Sequence, residues 1–352
     1  MNRKTSQYNF QAMRDRSAMN RVIRHYFDRL EYLEAETPLL SPAPIWETHI
    51  ELFKTNRLCA DGSLLNLYLL PSPEMWLKIL LAGGAPSLYQ IGKCFRNGEQ
   101  LDRWHRIEFS MLEWYTVRGG SSDNMRVMRE VINACIQELN LDSPKDIAGD
   151  FRVICMEEAF RSFAGFSLEL ELNSCGLNNL SFTSPDYPLA SAEAFQRLSD
   201  RLRENSLPVG NPDEQGVDDL FHRLFIGLVE KQLPMDVPLV LNEWPSLVPT
   251  LSRQKPGTPW SDRWELYIRG VEVANCYGEE TKLDIMRAFW KMEAEKKNTV
   301  DIPTERWPEQ LSGNLPTCSG VAVGLDRLLA LIRGDEGLQG LDLFPIHDII
   351  PW

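Results

Sequence analysis

The chain has 352 residues, 43% hydrophobic and 25% charged, so it is long enough to bury a large core as a single domain with room for an insertion. Its 50 acidic and 37 basic residues give a net charge of −13, which argues against a broad nucleic-acid-binding face and disfavours tRNA as a partner, although a local basic patch is compatible with this charge. The seven cysteines follow no metal-binding spacing, and no apolar run is long enough to span a membrane. These features predict a reduced, cytoplasmic protein without a membrane partner.

The first predicted element is a helix over residues 11–33, where apolar side chains such as Ile23 and Phe27 recur at helical spacing. Glu36-Thr37-Pro38 should end this helix, and an extended segment follows. Two interpretations are open on the pattern alone. The helix packs only on its own core, or it also joins two copies of the chain.

A strand over Leu64–Leu70 is followed by Ser72-Pro73-Glu74 and a helix over Met75–Ala82. A carboxylate in the first turn of a helix is stabilised by the helix dipole, so capping alone explains Glu74. A place in a binding pocket is the alternative for Ser72 and Glu74.

Residues 88–115 predict a hairpin of two strands, Leu88–Arg96 and Ile107–Tyr115, separated by a polar loop that contains Gly98. Period-two alternation puts Phe109, Met111, Glu113 and Tyr115 on one face of the second strand. Because an unpaired buried carboxylate is costly, a purely structural face would not carry Glu113. This face predicts a pocket for a flat ring and a cation.

Beyond this hairpin, a helix is predicted over Asp123–Leu139. Residues 140–235 carry mixed short elements and are interpreted as an insertion that covers the site.

Residues 263–280 predict a second hairpin with its turn at Arg269-Gly270, so that Tyr267 lies opposite Glu272 and Leu266 opposite Val273. Glu265 and Glu272 then share a face with their Cα atoms roughly 7–8 Å apart. Two carboxylates so placed suit Mg²⁺ bound to nucleotide phosphates, although two solvent-exposed acids fit the pattern equally well. For Asn275, Tyr277 and Glu279 to join Glu272 in one site, a bulge must lie near Ala274.

The last informative stretch, residues 317–327, is a strand of small residues that leads into a helix beginning near Leu325. Glycines let a backbone approach a ligand closely, and the guanidinium of Arg327 is suited to phosphate oxygens. A tightly packed corner with a surface arginine is the alternative.

The helix over residues 11–33, the hairpin over residues 88–115 and the stretch 317–327 resemble, in this order, motifs 1, 2 and 3 of class II aminoacyl-tRNA synthetases of the lysyl type. The resemblance covers about residues 15–140 and 235–345. It implies an α+β catalytic domain, with an antiparallel β-sheet flanked by helices, that spans residues 1–352 and forms a homodimer through motif 1. Full-length lysyl-tRNA synthetases carry an N-terminal OB-type anticodon-binding domain, and we expect this chain to lack it, because there is no room for it before motif 1.

The family's functional residues carry over onto matching positions of this chain. Arg96 and Arg327 are the implied catalytic residues, and ATP and Mg²⁺ are the implied cofactors. The implied ATP-binding residues are Arg96, Asn97, Glu99, Arg106, Phe109, Glu272, Val273, Gly324 and Arg327, and the metal ligands are Glu265 and Glu272. The implied amino-acid-binding residues are Ser72, Glu74, Glu113, Tyr115, Asn275, Tyr277, Glu279 and Ala322.

Two positions depart from the family pattern within the loop of the first hairpin. Gly98 is an additional residue before Glu99, and Arg106 replaces an asparagine. Both changes affect the contacts that the loop is expected to make with ATP.

A lysyl-type catalytic domain without the anticodon-binding domain resembles the family of elongation factor P–lysine ligases. That family activates (R)-β-lysine as an adenylate and transfers it to a lysine of elongation factor P. The ligases have alanine where lysyl-tRNA synthetases have the middle glycine of Gly-Leu-Gly-Ile-Gly, and Ala322 occupies that position. Two alternatives are a ligase that loads tRNA or another carrier, and an inactive paralogue that binds a nucleotide or an amino acid.

Overall fold

A computed structural model describes residues 9–344 except 46, 48–49, 140–145, 181–182, 212–215, 298–309 and 312–313. The α-helices among the described residues are α1 (Phe10–Arg29), α2 (Glu74–Ala82), α3 (Ser121–Leu139), α4 (Met156–Ala159), α5 (Leu168–Ser174), α6 (Tyr187–Glu204), α7 (Val217–Leu224), α8 (Leu283–Lys296) and α9 (Leu325–Arg333). The strands are β1 (Leu33–Glu34), β2 (Leu40–Ser41), β3 (Phe53–Leu58), β4 (Leu64–Leu69), β5 (Leu88–Phe95), β6 (Glu108–Val117), β7 (Arg152–Cys155), β8 (Leu239–Asn242), β9 (Arg263–Ile268), β10 (Val271–Gly278) and β11 (Cys318–Gly324).

Eight strands form the main sheet in the order β1-β5-β6-β11-β10-β9-β8-β7. The pairs from β5 through β8 are antiparallel, and only the edge pairs β1–β5 and β7–β8 are parallel. A second, antiparallel sheet has the order β2-β4-β3. The predicted α+β class is confirmed, with the qualification that the main sheet is mixed at its two edges.

Helix α1 packs on α3 and buries Met19, Ile23 and Phe27 at the predicted spacing. The predicted end at Leu33 is wrong, because the helix ends at Arg29. Glu31 adopts a φ of 59°, and the Leu33 amide donates to the Ser87 carbonyl, which starts β1 beside β5. Pairing with a distant strand therefore ends the helix well before the proline.

The described part of residues 140–235 has a hydrophobic cluster of its own. Helices α4 to α7 bury side chains such as Leu172, Leu198 and Phe221 against one another and against Leu241 and Tyr267 of β8 and β9. Strand β7 joins the edge of the main sheet through parallel pairing with β8. That this segment is an insertion stays a prediction.

The hairpin of β9 and β10 turns at Arg269-Gly270 as predicted, with positive φ at both residues. Tyr267 lies opposite Glu272, also as predicted, but Leu266 lies opposite Ala274 instead of Val273. The pairing shifts by one residue between Glu272 and Ala274, which is the bulge required near Ala274.

All seven cysteines are free thiols. None of the described helices has the length and apolar character needed to cross a membrane.

Candidate active site

A cavity of about 230 Å³ opens over β6, β11 and β10, at the centre of the main sheet. Of the predicted site residues, all except Asn97 and Glu265 line it. Those that line it are Ser72, Glu74, Arg96, Glu99, Arg106, Phe109, Glu113, Tyr115, Glu272, Val273, Asn275, Tyr277, Glu279, Ala322, Gly324 and Arg327. Residues from four separate parts of the sequence therefore meet in one cavity.

Strand β11 sets the spacing of this cavity, because it lies between β6 and β10. Ala322 is paired with Glu113 on one side and with Asn275 on the other. Gly320 is paired with Tyr115 and Tyr277. A Cβ at Gly320 would overlap the Tyr115 ring and lie 2.7 Å from Glu279 Oε1. Only glycine therefore allows these two side chains to close over the strand.

Lys78 of α2 is fully buried at the acidic end of the cavity. Its Nζ lies 2.6 Å from Glu74 Oε1 and 2.6 Å from Glu279 Oε2. The Ser72 hydroxyl accepts a hydrogen bond from the Glu74 amide at 2.9 Å, which fixes the start of the helix. One ammonium thus holds two carboxylates that come from distant parts of the chain.

Glu113 adds a third buried carboxylate to this end. The Tyr115 hydroxyl donates to Glu113 Oε1 at 2.8 Å, whereas Oε2 is buried without a hydrogen-bond partner among the described residues. Burial, together with the charge of Glu74, raises the pKa of Glu113 to about 8. Burial also raises the pKa of Glu279 to about 7, although Lys78 acts in the opposite direction. The acidic end is therefore short of positive charge.

Arg96 lies at the opposite, cationic end of the cavity. Its guanidinium carbon is 5.3 Å from the centre of the Phe109 ring, and its Nη1 is 3.8 Å from Glu99 Oε1. The Arg96 Nε is buried and has no hydrogen-bond partner among the described residues. An unpaired buried guanidinium nitrogen beside an aromatic face can bind a phosphate whose base stacks on that face.

Arg327 lies on α9, one turn after the end of β11, and is held by two backbone carbonyls. It donates to the Glu272 carbonyl at 2.9 Å and to the Trp104 carbonyl at 3.2 Å. Trp104 belongs to the loop of the first hairpin, in which Asp102 accepts hydrogen bonds from the Trp104 and His105 amides. The loop that departs from the family pattern thus forms an ordered turn against Arg327.

The two departures have a structural explanation. Gly98 adopts a φ of 72°, a conformation that favours glycine. Arg106 forms an ion pair with Asp342, with 2.6 Å between its Nη2 and Oδ2, and also donates to the Asp102 and His105 carbonyls. The arginine therefore anchors the loop to a segment near the C-terminus while still lining the cavity.

Several residues of the site could not be predicted, because the sequence pattern around them gives no signal. Lys78 is only one residue of the helix predicted over Met75–Ala82, and Glu47 lies in a proline-containing stretch without periodicity. Asp326 accepts a hydrogen bond from the Ser110 amide at 2.6 Å and forms an ion pair with Arg16 of α1. The lining residues absent from the prediction are Glu47, Ile50, Pro71, Trp104, His105, Ser110, Ala274, Gly320, Val321, Asp326 and Leu338. Lys78 does not line the cavity, but it pairs with Glu74 and Glu279, which do.

Asn97 and Glu265 lie outside the cavity lining. The Asn97 side chain accepts from the Gly98 amide at 3.0 Å. Glu265 is buried and accepts from Arg263 at 2.6 Å and from Tyr267 at 2.7 Å. Burial raises the pKa of Glu265 to about 7; Arg263 lowers this pKa and the nearby charge of Glu272 raises it.

The acidic residues near the cavity fit a magnesium ion only if the ion takes few ligands from the protein and the others from the substrate. The described residues contain no cluster of three or more acidic, histidine or cysteine side chains able to enclose a metal. Mg²⁺ is commonly bound by one or two carboxylates together with substrate phosphates. Glu272, which lines the cavity, fits that arrangement, whereas Glu265 lies outside the lining and its two oxygens accept hydrogen bonds from Arg263 and Tyr267.

Comparison with known proteins supports the resemblance to class II synthetases that the sequence motifs indicate. Residues 2–348 match the family described as tRNA synthetases class II (D, K and N). The elongation factor P–(R)-β-lysine ligase of Yersinia enterocolitica is 31% identical over 339 residues, covering 94% of each chain. The same-named ligases of Hamiltonella defensa and Proteus mirabilis are 30% and 29% identical, covering 94% and 92% of each chain.

The family match extends over nearly the whole chain, and the residues that resemble motifs 2 and 3 meet in one cavity between an acidic end and a cationic end. The chain therefore belongs to the class II tRNA synthetase family, and it is a ligase.

Proposed function

We propose that the protein activates a lysine-type amino acid, (R)-β-lysine, with ATP and transfers it from the adenylate to a lysine side chain of elongation factor P. The observation that carries the proposal is the charge distribution of the cavity. Glu74, Glu113 and Glu279 lie at one end with a single buried ammonium, Lys78, between two of them. If all three were ionised, this end would lack two positive charges.

A lysine-type substrate supplies that missing charge, because it carries two ammonium groups. The unpaired Oε2 of Glu113 is one acceptor for such a group. Asn275 and Tyr277 of β10 supply polar groups at the opposite wall of the cavity. An amino acid with a single ammonium would leave one carboxylate uncompensated, which is costly in a buried site. The pocket therefore selects against it.

At the cationic end, Arg96 and Arg327 would contact the triphosphate, while the Phe109 ring would stack on adenine. Mg²⁺, when bound at Glu272, would supply further positive charge to the phosphates. The substrate carboxylate would lie between the two ends and attack the α-phosphorus. The protein's contribution is positioning and electrostatic stabilisation rather than covalent chemistry.

The acceptor is inferred from the relatives, whose shared name specifies elongation factor P as the modified protein. The net charge of −13 supports a protein acceptor over tRNA, because nucleic-acid recognition depends on a positive surface. A role in modifying a translation factor also supports a cytoplasmic location.

We also propose a homodimer formed through the motif 1 segment. Its leucines Leu30, Leu33, Leu39 and Leu40 are each 40–52% exposed, whereas Tyr26 and Phe27 are buried within the protomer. Exposed apolar side chains grouped in one segment are typical of an interface. Sedimentation at micromolar concentration should show a dimer that Leu33→Glu dissociates. The control Leu189→Glu, at an exposed site on α6, should leave it intact, and a monomeric wild-type protein would contradict the proposal.

Replacing Arg327 with alanine should lower ATP–pyrophosphate exchange by at least about 100-fold, because a charge-assisted contact to the developing phosphate charge is lost. The control Arg152→Ala removes an exposed arginine from β7, away from the cavity, and should retain normal exchange. Circular dichroism should show both variants folded. Normal exchange in a folded Arg327→Ala variant would rule out this role for the arginine.

Ala322→Gly should raise activation of α-lysine relative to β-lysine by about tenfold or more. The methyl group of Ala322 lies in the cavity wall between Glu113 and Asn275, and a methyl-sized change in a pocket is worth roughly 1–3 kcal/mol. The measurement is pyrophosphate exchange with each lysine, with Ala148→Gly as a control outside the cavity.

Mass analysis of elongation factor P incubated with the wild-type enzyme should show the added aminoacyl group. An unchanged ratio in the Ala322→Gly variant would remove the role of the methyl group. Adenylate formation without any mass added to the factor would move the acceptor elsewhere.

A further inference from the structure

A second cavity, of about 180 Å³, adjoins the first. The two share three lining residues, Glu47, Glu74 and Tyr277. Among the residues that line only the second cavity, Pro249, Thr250 and His222 are half-exposed. The second cavity thus borders the amino-acid end of the first, and His222 is its one described contribution from residues 140–235.

The wall of the second cavity is mainly apolar. Six of its side chains are hydrophobic: Ile45, Met75, Val248, Leu251, Phe289 and Trp290. Carboxylates lie where the two cavities meet, at Glu47 and Glu74. An apolar passage that ends at carboxylates suits an aliphatic chain with a terminal amine, as in a lysine side chain.

The other charged groups of the second cavity are already engaged. Arg263 donates to Glu265 at 2.6 Å and lies over the rings of Trp244 and Tyr277, at 4.3 and 5.4 Å. Glu293 lies 3.4 Å from the Lys296 ammonium. Glu74 is paired with Lys78. The carboxylate best placed to receive an incoming ammonium is therefore that of Glu47.

We propose that the second cavity admits the primary amine of the acceptor to the adenylate, and that Glu47 accepts the proton which this amine must lose. The inference rests on the proposed function, because it assigns the route and the base for the transfer step. Neither the resemblance nor the relatives' names assign a role to Glu47.

The transfer step can be written with its protons and electron pairs. The acceptor ammonium gives one proton to the Glu47 carboxylate and becomes a neutral amine. The nitrogen lone pair then attacks the carbonyl carbon of the aminoacyl-adenylate and forms a C–N bond. The bond from that carbon to the phosphate oxygen breaks, AMP leaves with the electron pair, and the second nitrogen proton passes to solvent. The products are an amide and AMP.

The surroundings of Glu47 suit a base that works near neutral pH. Removal from water raises its pKa to about 7, and the charge of Glu74 adds to this rise. Glu293 of α8 acts in the same direction, whereas Arg96 and Lys297 lower this pKa. These are the charged groups that face Glu47 from α2, from the end of β5 and from the end of α8.

The test separates activation from transfer. Pyrophosphate exchange with (R)-β-lysine reports activation, and mass addition to elongation factor P or to Nα-acetyl-lysine reports transfer. Hydroxylamine serves as a third acceptor, because it is small and uncharged at neutral pH and needs neither the passage nor the base. The variants are Thr250→Phe, which fills the second cavity, its control Thr250→Ser, and Glu47→Gln with Glu47→Asp as the conservative replacement.

Thr250→Phe should retain exchange and hydroxamate formation but reduce transfer to both lysine acceptors by at least about tenfold, whereas Thr250→Ser should resemble wild type. Glu47→Gln should lower the ratio of lysine transfer to hydroxamate formation by about 100-fold, within the usual range for a general base, and Glu47→Asp should recover part of it. Undiminished transfer in Thr250→Phe would overturn the passage. Loss of exchange in Thr250→Phe would also overturn it, by assigning the cavity to the amino acid.

An unchanged ratio in Glu47→Gln would overturn the role of Glu47 as the base. Failure of the proposed function looks different, because the wild-type protein itself would then show no exchange with either lysine.

Discussion

The buried ammonium of Lys78 is the constraint on which the amino-acid end of the site depends. Moving a charge out of water costs several kcal/mol, so Lys78 is tolerated only because Glu74 and Glu279 both contact it. That requirement joins α2 to the residue after β10, two segments about 200 positions apart in the chain. It also fixes two of the three carboxylates, and leaves Glu113 with an unpaired oxygen facing the same space.

The cationic end is organised by backbone contacts rather than by buried ion pairs. Arg327 is held by carbonyls of Glu272 and Trp104, and the loop that provides Trp104 is anchored through Arg106 and Asp342. An arginine in place of the family's asparagine therefore creates a new anchor for the loop. The distance between the two ends is set by the paired strands β6, β11 and β10, which carry residues of both. Substrate carboxylate and ATP phosphate would meet above this rigid part of the sheet.

Much of the site could be predicted because it lies on strands whose alternation places side chains on known faces. Phe109, Met111, Glu113 and Tyr115 share the cavity for that reason, and the bulge before Ala274 was required by the residues that follow it. Contacts between distant segments left no such signal. A lysine four residues after Glu74 is typical of a surface pair on a helix, and only the tertiary packing buries Lys78. Likewise, α1 ends early because Leu33 pairs with a strand far along the chain.

The most direct test of this account is the proton balance on binding of (R)-β-lysine at pH 7. Glu113, with its pKa raised to about 8, is mostly protonated there, and an ammonium placed beside it lowers that pKa. Titration calorimetry in two buffers of different ionisation enthalpy measures the protons exchanged. The account predicts net release of protons from the protein, smaller in Glu113→Gln. No proton exchange, or net uptake, with the substrate bound would contradict the claim that the undercompensated carboxylates are the substrate's counter-ions.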